Sequence, residues 1–287
     1  PGSLAPQQVK CDSCLFGFQL DIDTKRARRF AVGRGSATHH AKSCELQPGK
    51  NQCDDQNRKG KIYDAPHGVD NAVRLKSDQQ TNIEGASNIV RAIQQHGLGV
   101  ETVIGISTDK ACMPVNVMGM TKAIQERIVI SGNMKCPDTR FVCVRYGNVL
   151  ASRGSVTPLF HSQLAAGGPL TITTPDMTRF LLSLDDAVDT VVAAYQNAEP
   201  GETFVPRAPS ALVTNIAKAI IGERDVAIET TGIRPGEKIH EIMVSDVEAP
   251  NTVQKGDWYA IKSMLPEVRG AGTWTPVLSR EYSSGDT

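Results

Sequence analysis

A hydroxyl, a carboxylate and an amine stand side by side at Ser107-Thr108-Asp109-Lys110-Ala111. Brought into one site, such groups supply a proton acceptor, a proton donor and an electrostatic anchor. The same residues also suit a polar strand-to-loop junction with Asp109 and Lys110 in water. Eight positions beyond Lys110, the run Met118-Gly-Met-Thr-Lys122 puts Lys122 one helical turn after Met118, so a helix here presents both toward the same side.

These residues need elements to position them, and from Thr81 onward the sequence offers a consistent set. Ile83, Ala86, Ile89, Val90 and Ile93 recur at helical steps, and Gly97 supplies a left-handed stop. Val103, Ile104 and Ile106, within a run from Val100 to Ser107, predict a strand buried on both faces, ending where the reactive groups begin. Val117 to Ser131 reads as a helix stopped by Gly132, and Phe141 to Tyr146 as a second buried strand. Further on come helices at Pro158–Ala166, Asp185–Asn197 and Thr214–Ile221, with Ser183 or Asp185 near the N-cap of the middle one, and a strand at Thr203–Arg207. Strands alternating with helices in this way predict a parallel sheet with helices on both faces, an α/β fold. In such sheets, ligands sit at the carboxyl ends of strands.

The first 80 residues are rich in Lys, Arg, Gln, Asp and Gly, keep neither period for long, and yield no fold from pattern alone. Lys plus Arg number 31 and Asp plus Glu number 31, so no net field draws the chain to nucleic acid or membrane. No run approaches the ~18 apolar residues of a membrane span and no leader-like segment opens the chain, which makes a cytoplasmic location the default expectation. Seven cysteines do not read as a disulfide framework. Cys11, Cys14, Cys44, Cys53 and the His39-His40 pair fit no standard zinc spacing, and no metal is expected.

The run STDKACMPVNVMGMTKAIQE, residues 107–126, resembles the active-site stretch of extended short-chain dehydrogenase/reductases that act on UDP-sugars. Most of that superfamily has a tyrosine where Met118 stands, and its lysine corresponds to Lys122. The 4,6-dehydratases of capsule and glycan precursors commonly carry methionine there. Their typical substrate is UDP-N-acetylglucosamine or a related UDP-sugar. The likeness continues through Arg145-Tyr-Gly-Asn148, Ser152-Arg-Gly-Ser155, Met177-Thr-Arg-Phe180, Gly201-Glu-Thr-Phe-Val-Pro206, Arg234-Pro-Gly-Glu-Lys238 and His240-Glu241, in order along roughly 200 residues.

The resemblance implies a Rossmann-like doubly wound sheet with a smaller C-terminal substrate-binding region. Its expected divisions are an atypical part of the nucleotide-binding region at 1–80, a catalytic core at 81–150, and a mixed remainder at 151–287. It implies NADP or NAD as cofactor, a homo-oligomer, and 4,6-dehydration of a UDP-N-acetylhexosamine for surface polysaccharide or glycan biosynthesis. Thr108, Asp109, Lys110, Met118 and Lys122 are then the catalytic set, and Asn82, Ser107, Lys122 and Tyr146 face the cofactor. Asn148, Arg153, Ser155, Arg179, Arg234 and Glu237 face the sugar nucleotide, where a planar guanidinium suits phosphate. Taken singly, the arginines also read as surface residues.

The glycine-rich turn expected after a first strand is represented only by Gly33-Arg-Gly35-Ser-Ala-Thr38, with His39-His40 where a helix should run. A divergent cofactor site, a coding-frame disruption upstream and loss of cofactor binding all fit this opening. A UDP-sugar epimerase and a catalytically silent sugar-nucleotide-binding protein are the competing functions.

Overall fold

The computed structural model describes residues 30–33, 75–152 and 155–286. The candidate metal ligands between Cys11 and Cys53, the glycine-turn residues from Arg34 to Thr38, and Arg153 lie outside the described residues. In chain order the elements begin with β1 (Phe30–Gly33), α1 (Gly85–His96), β2 (Thr102–Thr108), α2 (Val117–Lys135) and β3 (Arg140–Tyr146). Next come β4 (Asn148–Val149), α3 (Val156–Ala165), β5 (Leu170–Ile172), β6 (Thr178–Leu182) and α4 (Leu184–Asn197). The chain continues with β7 (Thr203–Pro206), β8 (Ser210–Leu212), α5 (Val213–Ile221), β9 (Ile228–Thr230), β10 (Ile242–Val244), β11 (Thr252–Lys255), β12 (Trp258–Ile261) and β13 (Tyr282–Ser283).

The central sheet has the order β1-β2-β3-β7-β12-β11. Its first four strands are parallel, and β12 and β11 close one edge as an antiparallel hairpin. Strand alternation divides the apolar residues between two faces. Val103, Phe141 and Cys143 pack under α1 and α2, whereas Ile104, Ile106, Val142 and Val144 pack against Ala193 and Ala194 of α4. The α/β sheet with helices on both faces, read from the pattern of strands and helices, is therefore the observed architecture. β1 is an addition, because its pairing of Phe30 with Thr102 through Gly33 with Gly105 lies in a region where periodicity showed no strand.

Most element ends fall within a residue or two of the sequence expectation. Gly97 closes α1 at φ 52°, and Ser183 forms a capping box with Asp186 at the start of α4. The helix through Gly132 is the clear correction: α2 does not stop there but runs on to Lys135. A side chain at position 132 would bring its first carbon within 2.8 Å of the Phe141 ring. Gly132 therefore serves close approach of helix to sheet, and the buried Val129 and Ile130 beside it offset the ~1 kcal/mol propensity cost of glycine in a helix. A π-helical segment, Gln79–Glu84, leads into α1 and carries the buried Asn82.

The smaller part is built on the sheet β4-β6-β8 and the pair β5-β9. Its own core comprises Phe160 from α3, Leu170 and Ile172 from β5, Met177, and Val213, Ala217 and Ile221 from α5. A third cluster, with Phe180, Val205, Met243 and Tyr282, joins it to the main sheet. Thr108 and Tyr146, the last residues of β2 and β3, lie in register at the carboxyl end of the main sheet.

Candidate active site

β2 delivers Thr108 in extended geometry into a single 3-10 turn, Asp109–Ala111. The Thr108 hydroxyl accepts from the Lys110 backbone N–H at 3.4 Å and donates to Asp109 Oδ1 at 2.8 Å. Lys110 Nζ donates to the same Asp109 oxygen at 3.0 Å and to Asn148 Oδ1 at 3.1 Å. Asp109 is fully buried, and its Oδ2 has no hydrogen-bond partner among the described residues. Of the two readings of this tetrapeptide, the solvated junction is thus replaced by a compact donor–acceptor cluster.

Helix α2 is pressed against that turn. Asn116 caps it by accepting from the Gly119 N–H at 2.9 Å, and Gly119 leaves no room for a side chain between the helix and the Lys110 carbonyl. Met118 is half-buried on this first turn. Lys122 Nζ donates to the Ile106 carbonyl at 3.0 Å, which places the amine at the carboxyl end of β2. Burial lowers its pKa to about 8, against an opposing pull from the Glu126 carboxylate. Asn82 Nδ2 donates to Thr121 Oγ1 at 3.0 Å and so ties the π-helical segment to α2.

Ser107 points the other way, donating to Glu126 Oε1 at 2.5 Å within a buried ion network. Arg145 from β3 bridges Glu126, at 3.0 and 2.7 Å, and Glu248, at 2.9 Å to each oxygen, and also donates to the Met243 carbonyl at 2.8 Å. Tyr146, the next residue of β3, is half-buried against two of the core clusters.

The segment Arg234–Lys238 folds as a turn that is hooked onto the loop before α2. Lys238 Nζ donates to the Cys112 carbonyl at 2.6 Å, and Asn116 Nδ2 donates to the Gly236 carbonyl at 3.0 Å. Glu237 accepts from the Arg234 N–H at 3.3 Å and from Thr173 Oγ1 at 3.4 Å, so its carboxyl shapes the turn, while Arg234 itself is exposed. Arg179 faces inward: its guanidinium donates to the carbonyls of Thr178, Ile239 and Lys238. The Ser155 hydroxyl at the start of α3 is buried with no hydrogen-bond partner among the described residues. Glu241, which the sequence reading names only as part of a matching run and gives no role, lies 3.8 Å from Lys110 Nζ and 3.7 Å from Arg179 Nε. A charged residue opening a buried strand, here β10, was the signal available for it.

A nicotinamide dinucleotide fits the residues present. β1 ends at Gly33, the first residue of the glycine-bearing run, alongside β2. Lys122 stands at the carboxyl end of that neighbouring strand, and the unpartnered Oδ2 of Asp109 marks a buried polar atom awaiting a donor. Among the described residues no His, Cys, Asp and Glu group could hold a metal ion, and no helix is long and apolar enough to cross a membrane.

The sequence matches the model of the family described as polysaccharide biosynthesis protein over residues 73–263. It is 41% identical over 249 residues to the UDP-glucose 4-epimerase of Rickettsia typhi, covering 79% of this chain and 72% of that one. It is 42% identical over 189 residues to the inverting UDP-N-acetylglucosamine 4,6-dehydratase of Campylobacter jejuni, covering 65% of this chain and 55% of that one. The solved structure of Pen from Bacillus thuringiensis superposes with a TM-score of 0.67 at 28% identity, over 76% of this chain and 66% of that one. The chain therefore spans only part of the length of its relatives. The turn after β2, the lysine of α2 and the sheet that carries them make this chain a member of the polysaccharide biosynthesis protein family, of the extended short-chain dehydrogenase/reductase type, which includes dehydratases and epimerases.

Proposed function

We propose that the chain dehydrates a UDP-N-acetylhexosamine across C5 and C6, giving a 4-keto-6-deoxy sugar. The observation that carries this reading is the contact chain Thr108–Asp109–Lys110 beside a methionine at position 118. A bound NAD or NADP would supply the chemistry of accepting a hydride from the sugar C4 and returning it to C6. The protein's part is to move protons. Thr108 takes the C4 hydroxyl proton while passing its own to Asp109 along the 2.8 Å contact. Asp109 gives that proton to the C6 hydroxyl, which leaves as water. Lys110 removes the C5 proton, made acidic by the C4 ketone, and gives a proton back to C5 at the end. Lys122 holds the nicotinamide ribose and stabilises negative charge at the C4 oxygen. Ser155, Asn148, Arg153 and Arg234 are assigned to the sugar nucleotide, Arg234 through its diphosphate.

Incubation of the purified protein with UDP-N-acetylglucosamine tests the assignment. The expected product is lighter by one water, and dinucleotide is released on denaturing the protein. The likeness to the Rickettsia typhi enzyme favours a second reading, a C4 epimerase, in which the product has the mass of the substrate and a changed C4 configuration. Dinucleotide-free protein that binds the UDP-sugar unchanged would instead make it a silent binder.

The charge on Lys122 sets a pH limit. With its pKa lowered to about 8, the amine is cationic below that value and neutral above it. Turnover at saturating substrate is expected to fall as pH rises through about 8, and Lys122→Arg, which keeps the charge, to move that fall to higher pH. A profile flat to pH 10 would remove Lys122 from the charged step.

A further inference from the structure

Glu241 is 4% exposed and sits just before β10. Its Oε1 lies between two cations, Lys110 Nζ at 3.8 Å and Arg179 Nε at 3.7 Å. Its Oε2 is buried without a hydrogen-bond partner among the described residues, as is Oδ2 of Asp109. Lys110 therefore stands between two buried carboxyl groups, each with one oxygen unsatisfied among the described residues. Two such groups do not both ionise without cost, since like charges close together disfavour the second ionisation.

The chain fixes Glu241 from several sides. Its N–H donates to Ser284 Oγ at 2.9 Å, and its carbonyl accepts from the Ser284 N–H at 2.8 Å. Ser284 Oγ meets Thr178 Oγ1 at 2.7 Å, and that hydroxyl meets His240 Nδ1 at 2.8 Å. Arg179 cannot turn away from Glu241 cheaply, because its other donors already serve three backbone carbonyls. Its neighbours in the chain, Met243 and Val244, are apolar and fully buried, so the charged groups that meet this carboxyl are Lys110 and Arg179. A charged group maintained in such a place acts on the neighbours it faces.

We propose that Glu241 is a positioning residue of the reacting site, which aligns the Lys110 amine and keeps the Asp109–Lys110–Glu241 group one proton richer than Asp109 and Lys110 would be alone. The inference rests on the dehydratase reading for its consequence but on geometry for its substance. The charged groups facing Glu241 are Asp109 and Lys110 from the turn after β2, Arg179 from β6 and Lys238 from its own segment. Burial, and next the Asp109 carboxylate, push the Glu241 pKa up, with Lys110, Arg179 and Lys238 pulling against them. In each cycle Asp109 is resupplied by the C4 hydroxyl proton that Thr108 passes on; the proton held with Glu241 stays in the group and keeps a second full negative charge from building up beside Asp109.

Two measurements on the purified holoenzyme test this. In an infrared titration, the wild type is expected to keep a carboxylic-acid carbonyl band at neutral pH, where solvated carboxyls are ionised, and Glu241→Gln to lose it. In pH profiles of kcat and KM, Glu241→Gln fixes this side chain in its neutral state, so the inflection that its ionisation gives the wild-type kcat profile should disappear, with KM little changed. Glu241→Asp, which still titrates, should keep an inflection. A purely structural role would lower kcat equally at every pH and leave the profile in place. The wild-type titration needs no variant, so a poorly folding Glu241→Gln does not spare the proposal. A wild type with no such band overturns it, as does an inflection that persists in folded Glu241→Gln. A band present in a protein that forms no dehydrated product would sink the dehydratase reading and leave the proton-holding role intact.

Discussion

Lys110→Ala is expected to lower kcat for dehydration by about 10²–10⁴-fold, the usual contribution of a positioned general base. Lys110 Nζ reaches Asp109 Oδ1 at 3.0 Å and Asn148 Oδ1 at 3.1 Å, so the amine is oriented by two acceptors before any sugar arrives. Its removal strips the C5 base and leaves Thr108 in contact with Asp109. The defect should therefore be specific to one proton. Exchange of the sugar C5 hydrogen with solvent deuterium should vanish with turnover, while binding of UDP-N-acetylglucosamine remains within a few-fold of wild type. Lys110→Arg should not rescue, because a guanidinium stays protonated at working pH and cannot accept the C5 proton. Full turnover in a folded, dinucleotide-loaded Lys110→Ala protein would remove the base assignment. Loss of substrate binding alongside turnover would recast Lys110 as an anchor.

The parts legible in the sequence were those where local pattern and tertiary role agree. β2 and β3 are buried on both faces, so they read as continuous apolar runs, and Gly97 stops α1 because glycine takes the left-handed φ of 52° without a Cβ penalty. Gly132 misled for the converse reason: its job is contact with the Phe141 ring, a long-range fact that no helical period reports. β1 is too short, at four residues, to stand out from a polar surrounding, and it becomes a strand by pairing with β2. The reactive tetrapeptide could be singled out by residue type. Whether its groups touch depended on the 3-10 turn and on Asn148 arriving from a different strand. Arg179 shows that a charge read from sequence comes without its internal partners. Expected to face the substrate, it commits three hydrogen bonds to main-chain carbonyls and approaches Glu241. Ser107 likewise spends its hydroxyl on Glu126, a residue one helix away.

Arg145→Met is expected to have the largest effect on stability, about 3–5 kcal/mol, because it leaves Glu126 and Glu248 as buried carboxyls without their cation. For a chain of this size that corresponds to a fall in melting temperature of about 10 °C. The guanidinium joins three separate parts of the fold: β3, α2 through Glu126, and β10 with the segment after it through Met243 and Glu248. The dependence on pH separates loss of charge pairing from loss of packing. In the wild type, burial raises the Glu248 pKa, but Arg145 and the Ser245 hydrogen bonds more than reverse this and hold it at about 2. A depressed carboxyl pKa stabilises the fold above its unfolded value, and that stability is lost as pH falls from about 4.5 toward 2. In Arg145→Met the buried Glu248 carboxyl lacks its counter-charge, so its folded pKa should rise above the unfolded one. Stability should then increase on acidification from pH 7 toward 5, a slope of opposite sign to that of the wild type at low pH. Urea midpoints measured across this range read the sign directly. Adding Glu126→Gln and Glu248→Gln to Arg145→Met should recover most of the loss, since the destabilising element is the uncompensated charge and not the missing volume. A variant whose midpoint is low but independent of pH would make Arg145 a packing residue, with its bonds to Glu126 and Glu248 contributing little.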